Sequence, residues 1–221
     1  MTEDYVRPIV TVDIVLLTVT GERLSVALLE RQAEPYAGRP ALIGGYVHTD
    51  EDRDAEQAVR RMLKAKTGLT GLFFEQLRTF SGRDRDPRGW SVSIAYFALL
   101  PHHLIAAAAP GLVLKPADAP GRLPFDHAAI LGAALERVRG KGAYSTIPAR
   151  LLPETFTMPE LQRTYEIVLG ERLDQSAFRR KINELGLLDE VGGEKRRSSE
   201  ARRPATLYRL REPLAVFERR L

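Results

Sequence analysis

Residues 44–69 read GGYVHTDEDRDAEQAVRRMLKAKTGL. Two glycines sit in a short apolar stretch, 41–47, and the acidic cluster Asp50, Glu51 and Asp52 follows. From 54 to 66, Ala58, Met62 and Ala65 recur on one face with Val59 and Leu63 beside it, the spacing of an amphipathic helix. Gly68 stands where a left-handed C-cap belongs. Upstream, 8–19 is an apolar β-branched run interrupted by Asp13 and reads as a buried strand. Gly21 and Glu22 make a turn, 24–30 returns as the second strand of a hairpin, and 31–40, with two prolines and a glycine, is a loop. Downstream, 72–80 and 90–100 read as strands around the charged loop 82–89. The Ala/Pro-rich stretch 101–121 has no defined pattern, and 126–138 reads as a helix capped by Asp126. The first part of the chain is therefore a mixed α/β domain.

A different pattern follows. Residues 140–153 are rich in Gly, Pro and small polar side chains and read as a linker, so the boundary falls between domains 1–145 and 146–221. Thr157 with Glu160 forms a capping box, with Pro159 in the first turn. Met158, Leu161, Tyr165, Val168 and Leu169 give that helix an apolar stripe, and Gly170 ends it. Asp174 caps the next helix, 175–185, with Phe178, Ile182 and Leu185 towards the core and Gly186 at its end. A strand at 187–191, a charged tip at 192–204 and a return strand at 205–210 complete helix, turn, helix, strand, loop, strand. That order predicts a winged helix-turn-helix.

Composition excludes several classes. Hydrophobic residues make up 44% and charged residues 28%, a globular balance. No apolar run reaches the roughly 18 residues of a bilayer span. The start, MTEDYVRPIV, lacks a basic segment followed by an apolar one, so a cytoplasmic protein is expected. With no cysteine, disulfides, thiol catalysis and Cys-ligated zinc are out. The four histidines have no metal-binding spacing, and no metal is expected. Charge is uneven. Residues 1–145 carry 18 basic and 17 acidic side chains, whereas 146–221 carry 15 and 12. Within 195–211, seven cations face Glu200 alone, which fits either a polyanion partner or a solvated loop.

The 44–69 segment resembles a Nudix box, G-x5-E-x7-R-E-U-x-E-E-x-G-U with U apolar. Gly45 and Glu51 fit the first spacing, and anchoring on Gly68 aligns Arg61 with the family arginine. The halves join only across a two-residue insertion. The family's three helix glutamates then fall on Met62, Ala65 and Lys66. Carboxylates at such spacing share a helical face and hold the Mg²⁺ that activates water on a pyrophosphate. A thioether, a methyl and an ammonium cannot, so no hydrolase is expected and no catalytic residue is assigned. A kept scaffold without its chemistry points to a binding pocket. Arg31, Arg60, Arg61, Arg83, Arg85 and Arg88 are candidate phosphate forks, although each also fits a solvated surface. Arg31 and Arg88 are the best placed, with Asp86 at the start of a domain-edge segment running to Trp90. Gly44 and Gly45 permit close backbone approach to a ligand or merely turn the chain. Phe125, Asp126 and His127 read as a helix entry rather than a catalytic pair.

Taken together, the degenerate box, DPRGWSVSIAYFALL, LPFDHAAIL and FTMPELQRTYEIVLGERLDQSAFRRKINELGLLDE resemble the Nudix-related transcriptional regulators of NAD metabolism (NrtR-type) over nearly the whole chain. The resemblance implies a mixed-sheet α/β/α Nudix-like domain followed by a C-terminal winged helix-turn-helix. It implies a homodimeric repressor of NAD synthesis or salvage genes on a palindromic operator, released by ADP-ribose or a related nucleotide and needing no cofactor. The expected ligand residues are Arg31, Gly44, Gly45, Arg60, Arg61, Asp86 and Arg88. Base readout falls to Gln175, Ser176, Arg179 and Arg180 at the start of the second helix, and DNA contact by the wing to Lys195, Arg196, Arg197, Arg202 and Arg203. The alternatives are an ADP-ribose pyrophosphohydrolase with an accessory winged helix and a nucleotide-binding adaptor with no DNA target.

Overall fold

A computed structural model describes residues 7–108, 111–196, 205–212 and 214–217, with side chains of 192–196 outside that description. The described chain divides into two compact units. One comprises Met1–Leu17, Ser25–Ala98 and His103–Leu135; the other comprises Thr18–Leu24, Leu99–His102 and Glu136–Leu221.

β1 (Ile9–Thr20), β2 (Arg23–Glu30), β3 (Pro40–Ala41), β4 (Ile43–Tyr46), β5 (Glu75–Gly82), β6 (Ser91–Leu99) and β7 (Leu112–Pro116) contribute to a seven-stranded sheet that belongs to the first unit except for the β1–β2 turn, Thr18–Leu24, and the end of β6 at Leu99. Its path runs β3-β2-β1-β6-β5, with β4 paired to β1 and β7 to β2. β1 is central because its side chains are apolar on both faces: Val12, Ile14, Val15, Leu16 and Leu17 are all fully buried. Asp13 breaks the apolar run but not the strand, which is continuous as expected from the sequence, and Asp13 is itself buried.

α1 (Ala55–Thr67) starts at Asp54, whose carboxylate accepts from the amide of Gln57, and ends at Gly68 with φ 74°. Ala58, Val59, Met62 and Leu63 are its buried face. Ala65, placed on that face by periodicity, is exposed, and Thr67 is buried instead, its hydroxyl donating to Leu63 O at 2.7 Å. The patternless stretch 101–121 contains the short α2 (His102–Ala106) and β7, whose register pairs Val26 with Lys115.

α3 (His127–Gly142) is longer than its sequence pattern predicted. The Asp126 carboxylate, expected as its cap, is forked by Arg85 at 3.0 Å on both oxygens. The stretch read as a linker is packed. Ala143, Ser145, Thr146, Ile147, Ala149 and Leu151 are buried, and Ile147–Leu151 forms a 3₁₀ turn.

The second unit carries β8 (Phe156–Thr157), α4 (Met158–Leu169), α5 (Gln175–Glu184), β9 (Leu188–Arg196) and β10 (Ala205–Leu210). The three strands pair as β8-β10-β9. Both halves of the expected capping box are present: Glu160 N donates to Thr157 Oγ1 at 3.3 Å and Thr157 N to Glu160 Oε2 at 2.7 Å. Phe156, Met158, Leu161, Tyr165, Phe178 and Ile182 form the core, with the rings of Tyr165 and Phe178 at 5.4 Å edge to face. The buried Tyr165 hydroxyl donates to Ser145 O at 2.8 Å, and burial raises its pKa. No described helix is long and apolar enough to cross a membrane.

Candidate functional site

Antiparallel β1 and β4 pair Asp13 with Gly44. A Cβ on Gly44 would stand 2.0 Å from Asp13 Oδ1 and 2.9 Å from Val12 O, so only glycine lets the strands approach. Beside this pair lies a cavity of about 590 Å³, the scale of a small-molecule site. Of the residues expected from the sequence to bind ligand, Arg31, Gly44, Gly45, Asp86 and Arg88 line it.

Besides Arg85, three cations line it. Arg31 lies 4.7 Å over the ring of Phe125 and donates to Pro35 O at 2.8 Å. Desolvation, then the charge of Arg88, lowers its pKa. Arg88 forks Asp86 at 2.9 and 2.6 Å and also donates to the Tyr46 hydroxyl. Burial opposes ionisation of Asp86, but the bonds and charge of Arg88 outweigh it and hold the carboxyl below its ordinary range. Lys66 donates to the Gly44 carbonyl; burial and then the charge of Arg31 lower its pKa. Arg88 thus opposes the charge of Arg31, and Arg31 that of Lys66, while Asp86 raises the pKa of Arg88 itself; an anion in the cavity would offset the first two effects.

Behind these cations sits a buried polar network. Ser93 Oγ donates to Asp13 Oδ2 at 2.6 Å, Arg85 stands 3.7 Å from the same oxygen, and Arg85 donates to Ser91 Oγ at 3.1 Å. His127 Nδ1 accepts from Leu42 N at 3.0 Å, which leaves Nε2 as the protonated nitrogen, 3.6 Å from Asp13 Oδ1. Burial lowers the His127 pKa, so the ring is neutral at pH 7. Phe125, wedged between Tyr36 and His127, holds φ 54°, a strained value for an aromatic residue.

Sequence reasoning missed Asp13, Tyr46, Phe125 and His127 as lining residues, and treated Lys66 only as a lost metal ligand. A charged residue within an otherwise apolar strand was the available signal, since a buried carboxylate needs partners. Arg83 is not among the lining residues.

Arg60 and Arg61 do not reach this cavity. They border a second, more apolar one of about 440 Å³ with Leu63, Leu69, Leu72 and Phe74. Arg60 lies 4.6 Å over Phe74. Arg61 forks Asp52 at 2.7 and 2.6 Å and donates to Tyr46 O at 3.0 Å, tying the acidic loop to α1. The Arg61 hydrogen bond, against the effect of burial, brings the Asp52 pKa down to about 2. A depressed folded-state pKa stabilises above the unfolded value near 4, and that contribution is lost as pH falls through about 2. Asp52→Asn is therefore expected to lower the melting temperature at pH 7, with the gap to wild type closing by pH 2; a gap independent of pH would show that the carboxylate charge is not what stabilises. Among the described residues, no group of three or more His, Asp or Glu side chains has a metal-holding arrangement.

On the second unit, α5 starts at Asp174, whose Oδ1 accepts from Ala177 N at 2.7 Å. Gln175, Ser176, Arg179 and Arg180 are exposed along its first turns, with Phe178 and Ile182 buried on the other side. Lys195 and Arg196 end β9 in backbone, paired with Thr206 and Ala205. Their side chains, and Arg197, Arg202 and Arg203 altogether, lie outside the described residues.

A Nudix-type α/β domain with a cationic cavity, joined in one chain to a winged helix with an exposed polar second helix, defines a Nudix-related winged-helix protein. Residues 148–210 match the NrtR DNA-binding winged helix domain. The chain is 35% identical over 218 residues to the ADPR responsive transcriptional repressor NtrR of Acinetobacter baylyi, covering 93% of this chain and 83% of that protein. It superposes on Shewanella oneidensis NrtR complexed with a 27mer DNA with a TM-score of 0.85 at 35% identity, over 96% of this chain and 99% of that one. The NUDIX domain of the same Shewanella protein complexed with ADP ribose aligns at TM-score 0.55 and 34% identity, over 62% of this chain and 92% of that one. The chain belongs to the NrtR family of Nudix-related transcriptional regulators.

Proposed function

We propose that this chain is a transcriptional repressor of NAD biosynthesis or salvage genes that binds a palindromic operator as a homodimer and releases it on binding ADP-ribose or a related nucleotide. Residues 1–145 bind the effector and 146–221 the DNA, in the cytoplasm and without a cofactor. The observation that carries this reading is the convergence of Arg31, Lys66 and Arg88 on the Gly44 cavity. A pyrophosphate offsets the repulsion that Arg31 feels from Arg88 and Lys66 from Arg31, and Phe125 and Tyr46, with Arg31 and Arg88 over their rings, complete the same wall. Lys66 holds the Gly44 carbonyl where a hydrolase would need a metal-binding carboxylate, which favours binding without turnover. Arg31, Gly44, Gly45, Asp86 and Arg88 form the ligand site; Arg60 and Arg61 support it from outside. On α5, Gln175, Ser176, Arg179 and Arg180 read bases, while Lys195, Arg196, Arg197, Arg202 and Arg203 of the wing hold the backbone or a neighbouring minor groove.

The test is fluorescence anisotropy on duplexes from upstream of NAD-metabolism genes, against a scrambled duplex, titrated with ADP-ribose at fixed salt. Preference for the genuine duplex that falls as ADP-ribose rises is the expected result. Equal affinity for both duplexes, or Mg²⁺-dependent release of AMP from ADP-ribose, would overturn it.

A further inference from the structure

The buried carboxylate of Glu166, near the end of α4, collects four partners. Oε1 accepts from Leu173 N at 3.1 Å and Gln162 Nε2 at 3.3 Å; Oε2 accepts from Arg163 Nη1 at 3.2 Å and Arg172 Nη1 at 3.1 Å. Gln162 also donates to Leu173 O at 2.9 Å. Leu173 immediately precedes Asp174, the cap of α5. The turn that sets the start of α5 is thus tied to α4 through the Glu166 carboxylate and the Gln162 amide. Burial opposes its charge, but the bonds from Leu173, Arg163 and Gln162 and the charge of Arg172 keep it ionised.

Arg163 has a second partner. While Nη1 binds Glu166, Nη2 lies 3.0 Å from Glu22 Oε2. Glu22 is in the β1–β2 turn, within the same compact unit as α4. β1, which ends at Thr20, carries Thr11 and Asp13 in the cavity wall. A continuous chain of bonds therefore runs from the turn of the strand that walls the cavity, through Arg163 and Glu166, to the residue before the α5 cap.

We propose that Arg163 is the positioning residue that couples effector occupancy to operator affinity, reporting the state of the β1–β2 turn, through Glu22, to Glu166 and hence to the start of α5. This rests on the repressor reading above and adds its route. A movement of β1 on ligand binding changes the Glu22 contact, and Arg163, which holds both carboxylates in one fork, shifts with it. A coupling residue differs from a structural one in what its loss changes: the factor by which effector weakens DNA binding, not the affinity for effector.

The experiment measures operator Kd with and without saturating ADP-ribose by anisotropy, and ADP-ribose Kd without DNA by calorimetry, on the full chain. The variants are Glu22→Gln, Arg163→Met and the two combined. The Glu22–Arg163 pair is exposed at its carboxylate end, so Glu22→Gln is expected to reduce the ADP-ribose effect on operator Kd by about two- to fivefold. Its ADP-ribose Kd should stay within about twofold of wild type. Arg163→Met should reduce the effect further, and the combined variant should match Arg163→Met, because both cut one link. Should Arg163→Met fail to fold, Glu22→Gln alone decides. An undiminished effector response in Glu22→Gln overturns the proposal. A wild-type protein without operator preference or ADP-ribose response overturns the repressor reading itself, and that is visible in the wild-type curves alone.

Discussion

Arg85→Met is expected to destabilise the Nudix-type unit by about 3–5 kcal/mol, the cost typical of removing one partner from a buried ion pair. The side chain is 8% exposed, and its fork holds Asp126 on both oxygens at 3.0 Å. It also binds Ser91 and neighbours Asp13, itself buried. Methionine fills a comparable volume and keeps the apolar contacts, so the loss isolates the donors and the charge. What remains is the Asp13 carboxylate facing neutral His127 and Ser93, and an Asp126 carboxylate at the head of α3 without its fork. A domain is stable by only about 5–15 kcal/mol, so a loss of this size brings much of the population near unfolding at growth temperature. Urea denaturation followed by intrinsic fluorescence measures it. Arg85→Lys should recover only part, because an ammonium cannot satisfy two carboxylate oxygens and a hydroxyl in one plane. A loss below about 1 kcal/mol for the methionine variant would mean that water replaces the guanidinium and that the network is not structural. Asp13, Arg85 and His127 all line the cavity, so the same variant should lose ADP-ribose binding by calorimetry before it loses its helical signal.

The network also shows where sequence stops being readable. The caps Thr157 with Glu160 and Asp174 were legible in the sequence, whereas Asp54, read as the first helical residue, proves to cap through Gln57 N. Asp126 has the same local pattern, but its carboxylate went to Arg85, 41 residues away. No local rule registers that competitor. β7 was illegible for the same reason: alone, LVLKP is too short for a period, and its pairing with β2 decides it. The stretch 140–153 has a linker's composition, yet its small residues allow close packing. A Cβ on Gly142 would stand 3.0 Å from Val168 Cγ1. For the cavity, residue type and loop position were enough to single out Arg31, Asp86, Arg88 and the glycine pair among its lining residues. Helical geometry separates the rest: Arg61 and Lys66 are five residues apart, about 140° around α1, so one faces the Asp52 loop while the other meets Gly44. The family resemblance, by contrast, rested on motif order along the chain, which does not depend on which face each arginine takes.

Arg179→Ala combined with Arg180→Ala is expected to abolish specific operator binding, by about 30-fold or more, while the protein stays folded. The buried side of α5, Phe178 and Ile182, is untouched, and alanine is the better helix former, so the scaffold should survive. The exposed side loses both guanidiniums; Arg180 also gives up a 3.9 Å contact with Glu184, exposed and of little energetic consequence. A bidentate arginine on a base edge is worth about 1–3 kcal/mol of discrimination, and a phosphate contact a unit of salt slope. Two lysines in place of the arginines separate these roles. Lysine retains charge near a phosphate but cannot reproduce the planar fork, so affinity for scrambled DNA should return while preference for the operator does not. Anisotropy at two salt concentrations reads both quantities, and size-exclusion chromatography shows whether the oligomeric state is kept. If the double alanine variant still prefers the operator, the bases are read elsewhere, and residues 195–203 of the wing become the next place to substitute.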